Sequence, residues 1–239
     1  MSLYYNKTAT GGEPESTTED AKPSGRARSA RSTVRRRAGR GRYEREAIDA
    51  ILDEGLVGHV AFALDGQPYA IPMLYARHGD VLYLHGSPLS RLVGEVADGI
   101  RVCLTVSLID GLVLARSAFH HSVNYRSAVV FGSGRPIEDR DRKREALRAL
   151  VERMVPGRSH DVRGPSDGEL DATQVVALEI DEASAKVRSG PPIDSASDYA
   201  VRAWAGELPL YLAAGEPVPD ERCGMPVPDY LSNYARARD

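Results

Sequence analysis

Cysteine is nearly absent from this chain of 239 residues, in which only Cys103 and Cys223 occur. Two cysteines so far apart form no CxxC pair, so neither a thiolate metal centre nor a disulfide framework is indicated. Aromatic residues are also sparse, at 6% of the chain, with a single tryptophan. Because 42% of the residues are nevertheless apolar, the chain can bury a hydrophobic core.

Long apolar runs and strong net charge are missing too. The run VVALEI, residues 175–180, falls far short of the roughly 20 residues that a membrane-spanning helix needs. The first 20 residues hold no apolar stretch typical of a signal peptide, and the formal net charge is only −3. We therefore expect a cytoplasmic protein with no membrane partner and no global field that attracts polyanions.

Residues 1–40 are rich in Gly, Ser, Thr, Pro and charge and have few large aliphatic side chains, which predicts a disordered tail. Residues 26–42 contain eight arginines and no acidic residue. Such a run can bind nucleic-acid phosphates through counterion release, although a solvated tail is the commoner role. No aromatic or amphipathic pattern accompanies it, so we expect no nucleic-acid partner and keep a nucleic-acid-binding arm as the lesser alternative.

Hydrophobic periodicity predicts the secondary structure that follows the tail. Asp65-Gly66 is a hairpin signal. Pro68 and Pro72 place the next strand at an edge or an open mouth, because proline donates no ladder hydrogen bond. The predicted helices are residues 43–55, 87–99 and 139–155, and the predicted strands are residues 57–64, 67–77, 81–85, 100–109, 110–119, 122–138 and 173–190.

These elements predict a mainly β fold, an antiparallel β-barrel with peripheral helices. Most connections are too short for the crossovers that parallel strands require. Gly132 and Gly134 predict a bend in the long strand over residues 122–138. We expect one domain over residues 41–205, followed by an irregular extension over residues 206–239.

The stretch YLHGSPLSRLVGEV passes from a strand pattern to a helical one. Ser87 is a suitable N-cap and Pro88 a suitable first helical residue, which would place Ser90 and Arg91 in the first turn. Exposed amides, hydroxyls and a guanidinium together suit a phosphate group. The alternative is that Ser87 only caps the helix and Arg91 is solvated.

Five segments of the chain resemble the FMN-binding split-barrel family related to pyridoxamine 5'-phosphate oxidase, in its flavin-nucleotide-binding, nitroimidazole-reductase-like branch. The resemblance covers roughly residues 43–205 and implies a homodimer of split barrels with FMN in two clefts at the interface. The segments are AIPMLYARHGDVLYLHG, SPLSRL, TVSLIDGLVLARSAFHHSVNYRSAVVFG, KREALRALVERMVPGR and SAKVRSGPP.

The resemblance also implies where FMN binds. The strand containing Ile71, Pro72 and Met73 would run beside the isoalloxazine ring. Many relatives carry lysine after the arginine of the phosphate turn, whereas this chain has Leu92, so Arg91 would carry the charge alone. The phosphate-binding turn of the family corresponds to His85, Gly86, Ser87, Ser90 and Arg91.

Further along the chain, Asn124 and Arg126 either pair with polar groups on neighbouring strands or bind the flavin or its phosphate, and the resemblance favours flavin binding. Trp204 is either a core or interface anchor or a cover for the flavin of the partner subunit. His85 and Tyr125 are the only candidates for acid–base catalysis, although each is more typical of a binding residue.

Three other kinds of site are not supported by the sequence. The adjacent His120 and His121 point to opposite faces of a strand and have no third ligand at a suitable spacing, so we expect no metal. The segment from Gly132 to Ile137 lacks the third glycine of a dinucleotide fingerprint. Ser117 and Ser122 lie in no G-x-S-x-G elbow, which argues against a hydrolase.

The function that these features predict is an FMN-dependent oxidoreductase acting on a small molecule. The alternative is a flavin, heme or deazaflavin carrier without turnover, since one fold supports several functions. Pyridoxamine 5'-phosphate oxidase activity itself is not expected, because the arginine–histidine pattern of that enzyme is missing after Trp204.

Overall fold

The computed structural model describes residues 29–234. Within that range the chain forms ten strands and five α-helices. The strands are β1 (Gly41–Arg42), β2 (Val57–Leu64), β3 (Gln67–Leu74), β4 (Ala76–His78), β5 (Val81–Gly86), β6 (Arg101–Leu114), β7 (Ser122–Pro136), β8 (Gln174–Glu179), β9 (Glu182–Arg188) and β10 (Gly206–Pro209). The helices are α1 (Arg45–Glu54), α2 (Arg91–Ala97), α3 (Arg140–Met154), α4 (Asp167–Asp171) and α5 (Asp229–Ser232).

The strands close into a barrel through the junction of β3 and β4. Neighbouring strands pair in the order β3-β2-β6-β7-β8-β5-β4, and only Tyr75 separates β3 from β4. Tyr75 is fully buried, and its hydroxyl donates a hydrogen bond to the Leu52 carbonyl at 2.5 Å. This arrangement confirms the predicted antiparallel split barrel with peripheral helices.

Alternating residues of the strands fill the barrel, as the period of two requires. On β6, for example, Val102, Leu104 and Val106 are buried and point inward. Helices α1 and α2 add apolar residues such as Ile48 and Leu92 to the same core. Each such side chain contributes roughly 1.5–3 kcal/mol by leaving water, so the aliphatic core holds the barrel together.

Strand β7 changes its neighbour at Gly132 and Gly134, where the sequence predicts a bend. It pairs with β9 as far as Phe131 and with β8 from Gly134 onward. A Cβ atom on Gly132 would lie 1.9 Å from the Glu179 carbonyl oxygen. The strand therefore needs glycine where it passes from one neighbour to the next.

The hairpin and edge predictions are also confirmed. Asp65 and Gly66 have φ values of 50° and 80°, the left-handed conformations of a tight two-residue turn. Strand β3, which carries Pro68 and Pro72, pairs with β2 and lies at one end of the strand order. One side of this strand thus lies open beside the barrel.

The N-terminal segment differs from its predicted disorder. Residues 29–40 pack beside the barrel, and residues 1–28 lie outside the described residues. The Arg31 guanidinium donates to Glu182 at 2.8 Å and lies 4.9 Å from the centre of the Phe131 ring. The segment has few apolar residues, and these contacts of Arg31 tie it to the barrel instead.

The single strand predicted over residues 67–77 is divided at Tyr75 into β3 and β4, which pair with β2 and β5. Two further strand predictions also differ from the structure. The segments 100–109 and 110–119 form one strand, β6, with a register shift between Ile109 and Gly111. The single strand predicted over residues 173–190 is instead β8 and β9, which have different neighbours. Both differences reflect tertiary pairing, which periodicity within one segment does not encode.

The extension after residue 205 contains one strand that the sequence analysis did not predict. Strand β10 pairs with β6, whereas much of the following segment is extended and exposed. Among the described residues, no helix is long and apolar enough to span a bilayer.

Candidate functional site

The predicted phosphate turn lies between β5 and α2. Its Ser87 carbonyl accepts a hydrogen bond from the Ser90 amide at 2.8 Å, and the Ser87 hydroxyl accepts one from the Leu89 amide at 3.2 Å. Helix α2 then begins at Arg91. The prediction that Ser87 caps the helix and Pro88 opens it is therefore wrong. Pro88 instead occupies the second position of a four-residue turn, where its fixed φ is equally suitable.

Gly86 lets this turn lie close against the helix. A Cβ atom at Gly86 would lie 2.8 Å from a methyl group of Val93, closer than side chains normally pack. Ser87 is exposed and Ser90 is partly buried. The turn therefore presents two hydroxyl groups and the backbone amides at the start of α2.

Arg91 connects the turn to the edge strand β3. Its guanidinium lies 5.1 Å from the centre of the Tyr69 ring, and it has no carboxylate partner within residues 29–234. On the same strand, Pro72 is exposed while Ile71 and Met73 pack partly against the core. The structure thus brings a cation without an acidic partner beside the strand that the resemblance places along the flavin ring.

His85 does not face the phosphate turn but lines a separate cavity. It lines a cavity of about 740 Å³ beneath α3, whose walls include none of Gly86, Ser87, Ser90 and Arg91. The Nδ1 atom of His85 is buried and has no hydrogen-bond partner. Burial lowers the pKa of His85, which favours the neutral imidazole.

Asn124 is held inside the chain rather than presented to a cleft. Its amide nitrogen donates to Glu207 at 2.5 Å, and its oxygen accepts from Arg188. Arg188 also donates to the Gly190 carbonyl at 2.7 Å. Burial lowers the pKa of Arg188, so these hydrogen bonds compensate for a desolvated guanidinium. The observed contacts fit the polar-pairing interpretation of Asn124.

Arg126 is likewise engaged within the chain. Its guanidinium pairs with both Glu54, at the end of α1, and Asp110, at the register shift of β6. Hydrogen bonds with Glu54 and then Asp110 raise the pKa of Arg126. A guanidinium that already binds two carboxylates has little capacity left for a phosphate, so the structure favours strand pairing over flavin binding for this residue.

The positions of the two remaining predicted residues, Trp204 and Tyr125, do not identify a role for either side chain. Trp204 is 69% exposed, so it is not a core residue of this chain and remains open to an interface. Tyr125 is partly buried and lies opposite Arg188 of β9 and Ile109 of β6. Neither position by itself identifies a catalytic group.

His120 belongs to a cluster that sequence spacing did not predict. Its ligand atoms and those of Asp194 and Asp198 lie within 4.8 Å of one another. Asp194, however, already accepts from the backbone and side chain of Arg116, at 3.0 and 2.9 Å. The cation of Arg116 already pairs with one of the two carboxylates, so the cluster is described better as an ion-pair network than as a metal centre.

The same cluster places Ser117 beside His120. The Ser117 hydroxyl lies 2.7 Å from Nδ1 of His120, and Asp198 approaches the same nitrogen at 3.7 Å. A Ser-His-Asp relay needs the serine and the carboxylate on opposite ring nitrogens. The geometry therefore agrees with the sequence in not supporting a hydrolase.

The cavity under α3 is the feature that sequence reasoning missed. In VLYLHG, Leu82 and Leu84 are buried in the barrel, while Tyr83 and His85 point to the other face. The presence of an imidazole on the outward face of a half-buried strand was the available signal. The sequence does not show where α3 packs, and it is the packing of α3 that forms the cavity beside this imidazole.

Comparison with known proteins places the chain in a family. The family model described as pyridoxamine 5'-phosphate oxidase matches residues 44–187, more than half of the chain. A comparison with curated proteins found no match.

Two solved structures are similar over most of their length. The flavocytochrome Anf3 from Azotobacter vinelandii is 40% identical, with a TM-score of 0.80, over 87% of this chain and 97% of its own. The FAD and heme binding protein from Mycobacterium smegmatis is 38% identical, with a TM-score of 0.77, over 81% of this chain and 96% of its own. Both matches extend well beyond residues 44–187.

A third structure shares less of the chain. A candidate 5-nitroimidazole antibiotic resistance protein from Bacteroides thetaiotaomicron is 26% identical, with a TM-score of 0.52. It covers 62% of this chain and 86% of its own. The two longer matches therefore share more of the regions that flank the barrel.

Proposed function

The chain belongs to the pyridoxamine 5'-phosphate oxidase family, and from that premise we propose that it is a flavin-dependent oxidoreductase acting on a small molecule. A bound flavin supplies hydride and single-electron transfer, while the protein binds and orients it. The observation that carries the proposal is the position of Arg91 over Tyr69, between the phosphate turn and the open strand β3.

The residues around Arg91 suit the two ends of a flavin nucleotide. The guanidinium of Arg91, the hydroxyls of Ser87 and Ser90 and the nearby amides would hold a phosphate group. The segment Ile71–Pro72–Met73, at an edge with an unpaired side, would lie along the isoalloxazine ring. His85 and Tyr125 are the candidate proton-transfer residues.

Both FMN and FAD contain the phosphate that this turn would bind. The resemblance of the barrel motifs points to FMN, whereas the Mycobacterium smegmatis relative is named for FAD. The high similarity of that relative, over 96% of its length, favours FAD as the flavin of this chain. FMN is the alternative, and chemical identification of the released flavin decides between them.

We further propose that the active form is a homodimer. The segment around β10 exposes several large apolar side chains, among them Trp204, Tyr211 and Leu212. Several large apolar side chains exposed along one segment are typical of an interface between subunits. Trp204 would then lie against the partner subunit, where it could cover the flavin.

A second candidate function adds heme to the flavin. Both relatives with matches over more than four fifths of this chain are named for a flavin–heme combination, as a flavocytochrome or as an FAD and heme binding protein. In that case the protein would pass electrons between flavin and heme, rather than directly from flavin to a small acceptor.

The first test is the absorption spectrum of the purified full-length protein, followed by chromatography of the flavin released on denaturation. We expect flavin bands that persist through gel filtration, and reduced flavin that passes electrons to an acceptor faster than the free flavin does. A protein that neither retains nor binds added FMN or FAD would overturn the proposal. Flavin binding without faster electron transfer would support the carrier function instead.

A further inference from the structure

The cavity under α3 has the dimensions and lining of a cofactor site. Its volume of about 740 Å³ lies within the roughly 300–1,000 Å³ that is typical of ligand pockets. Most of its exposed lining surface is apolar, with Leu74 from the end of β3 and Leu147, Leu150 and Val151 from α3, and charged residues, among them Glu145 and Glu169, complete the wall. An apolar wall of this size suits a large, flat hydrophobic ligand better than a small polar metabolite.

His85 supplies an imidazole to the wall of this cavity. Its Nδ1 atom is buried and lacks a hydrogen-bond partner, so a ligand in the cavity would meet the other ring nitrogen, Nε2. The described residues therefore leave this imidazole without the hydrogen bond that a buried polar side chain usually has. The imidazole comes from β5, which pairs with β8 along its whole length. A histidine on such a rigid element is a suitable axial ligand for heme iron.

Arginines line the same cavity. The side chains of Arg144 and Arg163 are already paired with carboxylates, those of Asp167 and Glu169 respectively. Arg148 instead donates to the Ser159 hydroxyl at 3.1 Å, and within residues 29–234 it has no acidic partner. Arg148 is therefore the cation available for an acidic substituent of a ligand in the cavity.

We propose that this cavity binds heme, with His85 as an axial ligand of the iron and Arg148 beside a heme propionate. The inference rests on the proposed function, because it assigns a place to the second redox group of a flavoprotein. It separates the two cofactors, with flavin at β3 and the phosphate turn and heme beneath α3. It also removes His85 from the candidates for proton transfer and leaves Tyr125.

The test is a titration of the flavin-loaded protein with hemin, followed by visible absorption in the ferric and dithionite-reduced states. We expect a saturable Soret band at one hemin per chain, with the flavin retained. His85→Gly should weaken hemin binding by at least about tenfold, since losing a ligand costs no less than losing its supporting partner. Free imidazole should restore the wild-type spectrum of His85→Gly.

Two further variants test whether the effect is specific to His85 and whether Arg148 contributes to binding. His78 is an exposed histidine on the adjacent strand β4, and His78→Ala should bind hemin as the wild type does. Arg148→Glu should weaken binding and leave the Soret position unchanged, because it alters the rim and not the iron ligand. Flavin content and the unfolding transition, measured on the same samples, establish that each variant is folded.

The outcomes separate this inference from the proposed function. Flavin binding without saturable hemin binding would overturn the heme site alone, and failure to bind either would overturn both. Displacement of flavin by hemin would show that the cavity is the flavin site, and would also overturn the inference. Equal hemin affinity and an identical spectrum for His85→Gly and wild type would exclude His85 as the ligand.

Discussion

The guanidinium of Arg91 lies 5.1 Å from the centre of the Tyr69 ring, so the start of α2 is connected directly to strand β3. A cation over a partly exposed aromatic ring such as Tyr69 contributes on the order of 1 kcal/mol. The contact orients the Arg91 guanidinium, because it holds the charge beside the open edge of β3. This relationship unites two separate sequence segments, YLHGSPLSRL and QPYAIPML, in one candidate flavin site.

Replacing Arg91 with alanine should weaken flavin binding about 10- to 100-fold, the equivalent of losing one charge-assisted hydrogen bond worth roughly 1.5–3 kcal/mol. Arg91→Lys should give an intermediate value, because lysine keeps the charge but not the planar fork. Fluorescence titration with FMN and FAD measures the flavin dissociation constant of each variant. Arg101→Ala, at an exposed position on β6, is the matched control. An Arg91→Ala protein that binds flavin as the wild type does would remove the phosphate turn from the site.

Asn124 should be important for stability rather than for flavin affinity. Asn124 and Arg188 are each only 7% exposed, so Asn124→Ala would leave a buried guanidinium with a missing partner. We expect a loss of about 2–4 kcal/mol in the free energy of unfolding, measured by denaturant titration. The flavin dissociation constant should change less than about twofold, and Ser107→Ala, at an exposed position of β6, should change neither quantity. Weaker flavin binding at unchanged stability would instead place Asn124 in the flavin cleft.

The barrel was largely predictable because its signals are local. The prolines of β3 fix the backbone at their own positions, whereas the glycines of the Asp65-Gly66 turn and of β7 permit conformations and close approaches that other residues disfavour. The start of α2 was not predicted correctly, because SPLS is compatible with both a helix N-terminus and a turn. The hydrogen bond from the Ser90 amide to the Ser87 carbonyl is what distinguishes the two.

The candidate site was predictable only in part, because the role of a polar side chain depends on which groups the fold places beside it. The sequence analysis offers both Arg91 and Arg126 as possible phosphate ligands. The fold gives Arg126 two carboxylates, from Glu54 and Asp110, and leaves Arg91 beside an aromatic ring. Such partners lie far away along the chain, so motif spacing could not have found them.

A methyl group at Gly132 should severely destabilise the barrel. The new Cβ of Gly132→Ala would lie 1.9 Å from the backbone oxygen of Glu179, and a backbone atom within a sheet cannot easily move away. We expect a loss of about 3 kcal/mol or more in the free energy of unfolding, measured by denaturant titration. At Gly94, within α2, a Cβ would meet nothing within 4 Å, so Gly94→Ala should instead stabilise the protein by up to about 1 kcal/mol. Similar effects at the two positions would contradict the close crossing of β7 and β8.

The stability of the α3 region should depend on pH through Glu152. Hydrogen bonds from the Ser159 side chain and the Gly157 amide lower the pKa of Glu152 to about 2, from an ordinary value of 4.5. Because the folded-state pKa is depressed, the carboxylate contributes its full stability above pH 4.5, and the contribution disappears as the pH falls to about 2.

Glu152→Gln should therefore lower the free energy of unfolding at pH 7 by on the order of 1 kcal/mol, a value reduced because solvent screens the carboxylate. The difference in the free energy of unfolding between Glu152→Gln and the wild type should become smaller as the pH falls from 4.5 to 2. Denaturant titrations across that range measure this difference. Glu145→Gln, at an exposed position of the same helix, should follow the wild type at every pH. A gap that stays constant down to pH 2 would mean that the Glu152 charge does not stabilise the loop after α3. Since Ser159 also contacts Arg148, the same variant should loosen the arginine that lines the cavity.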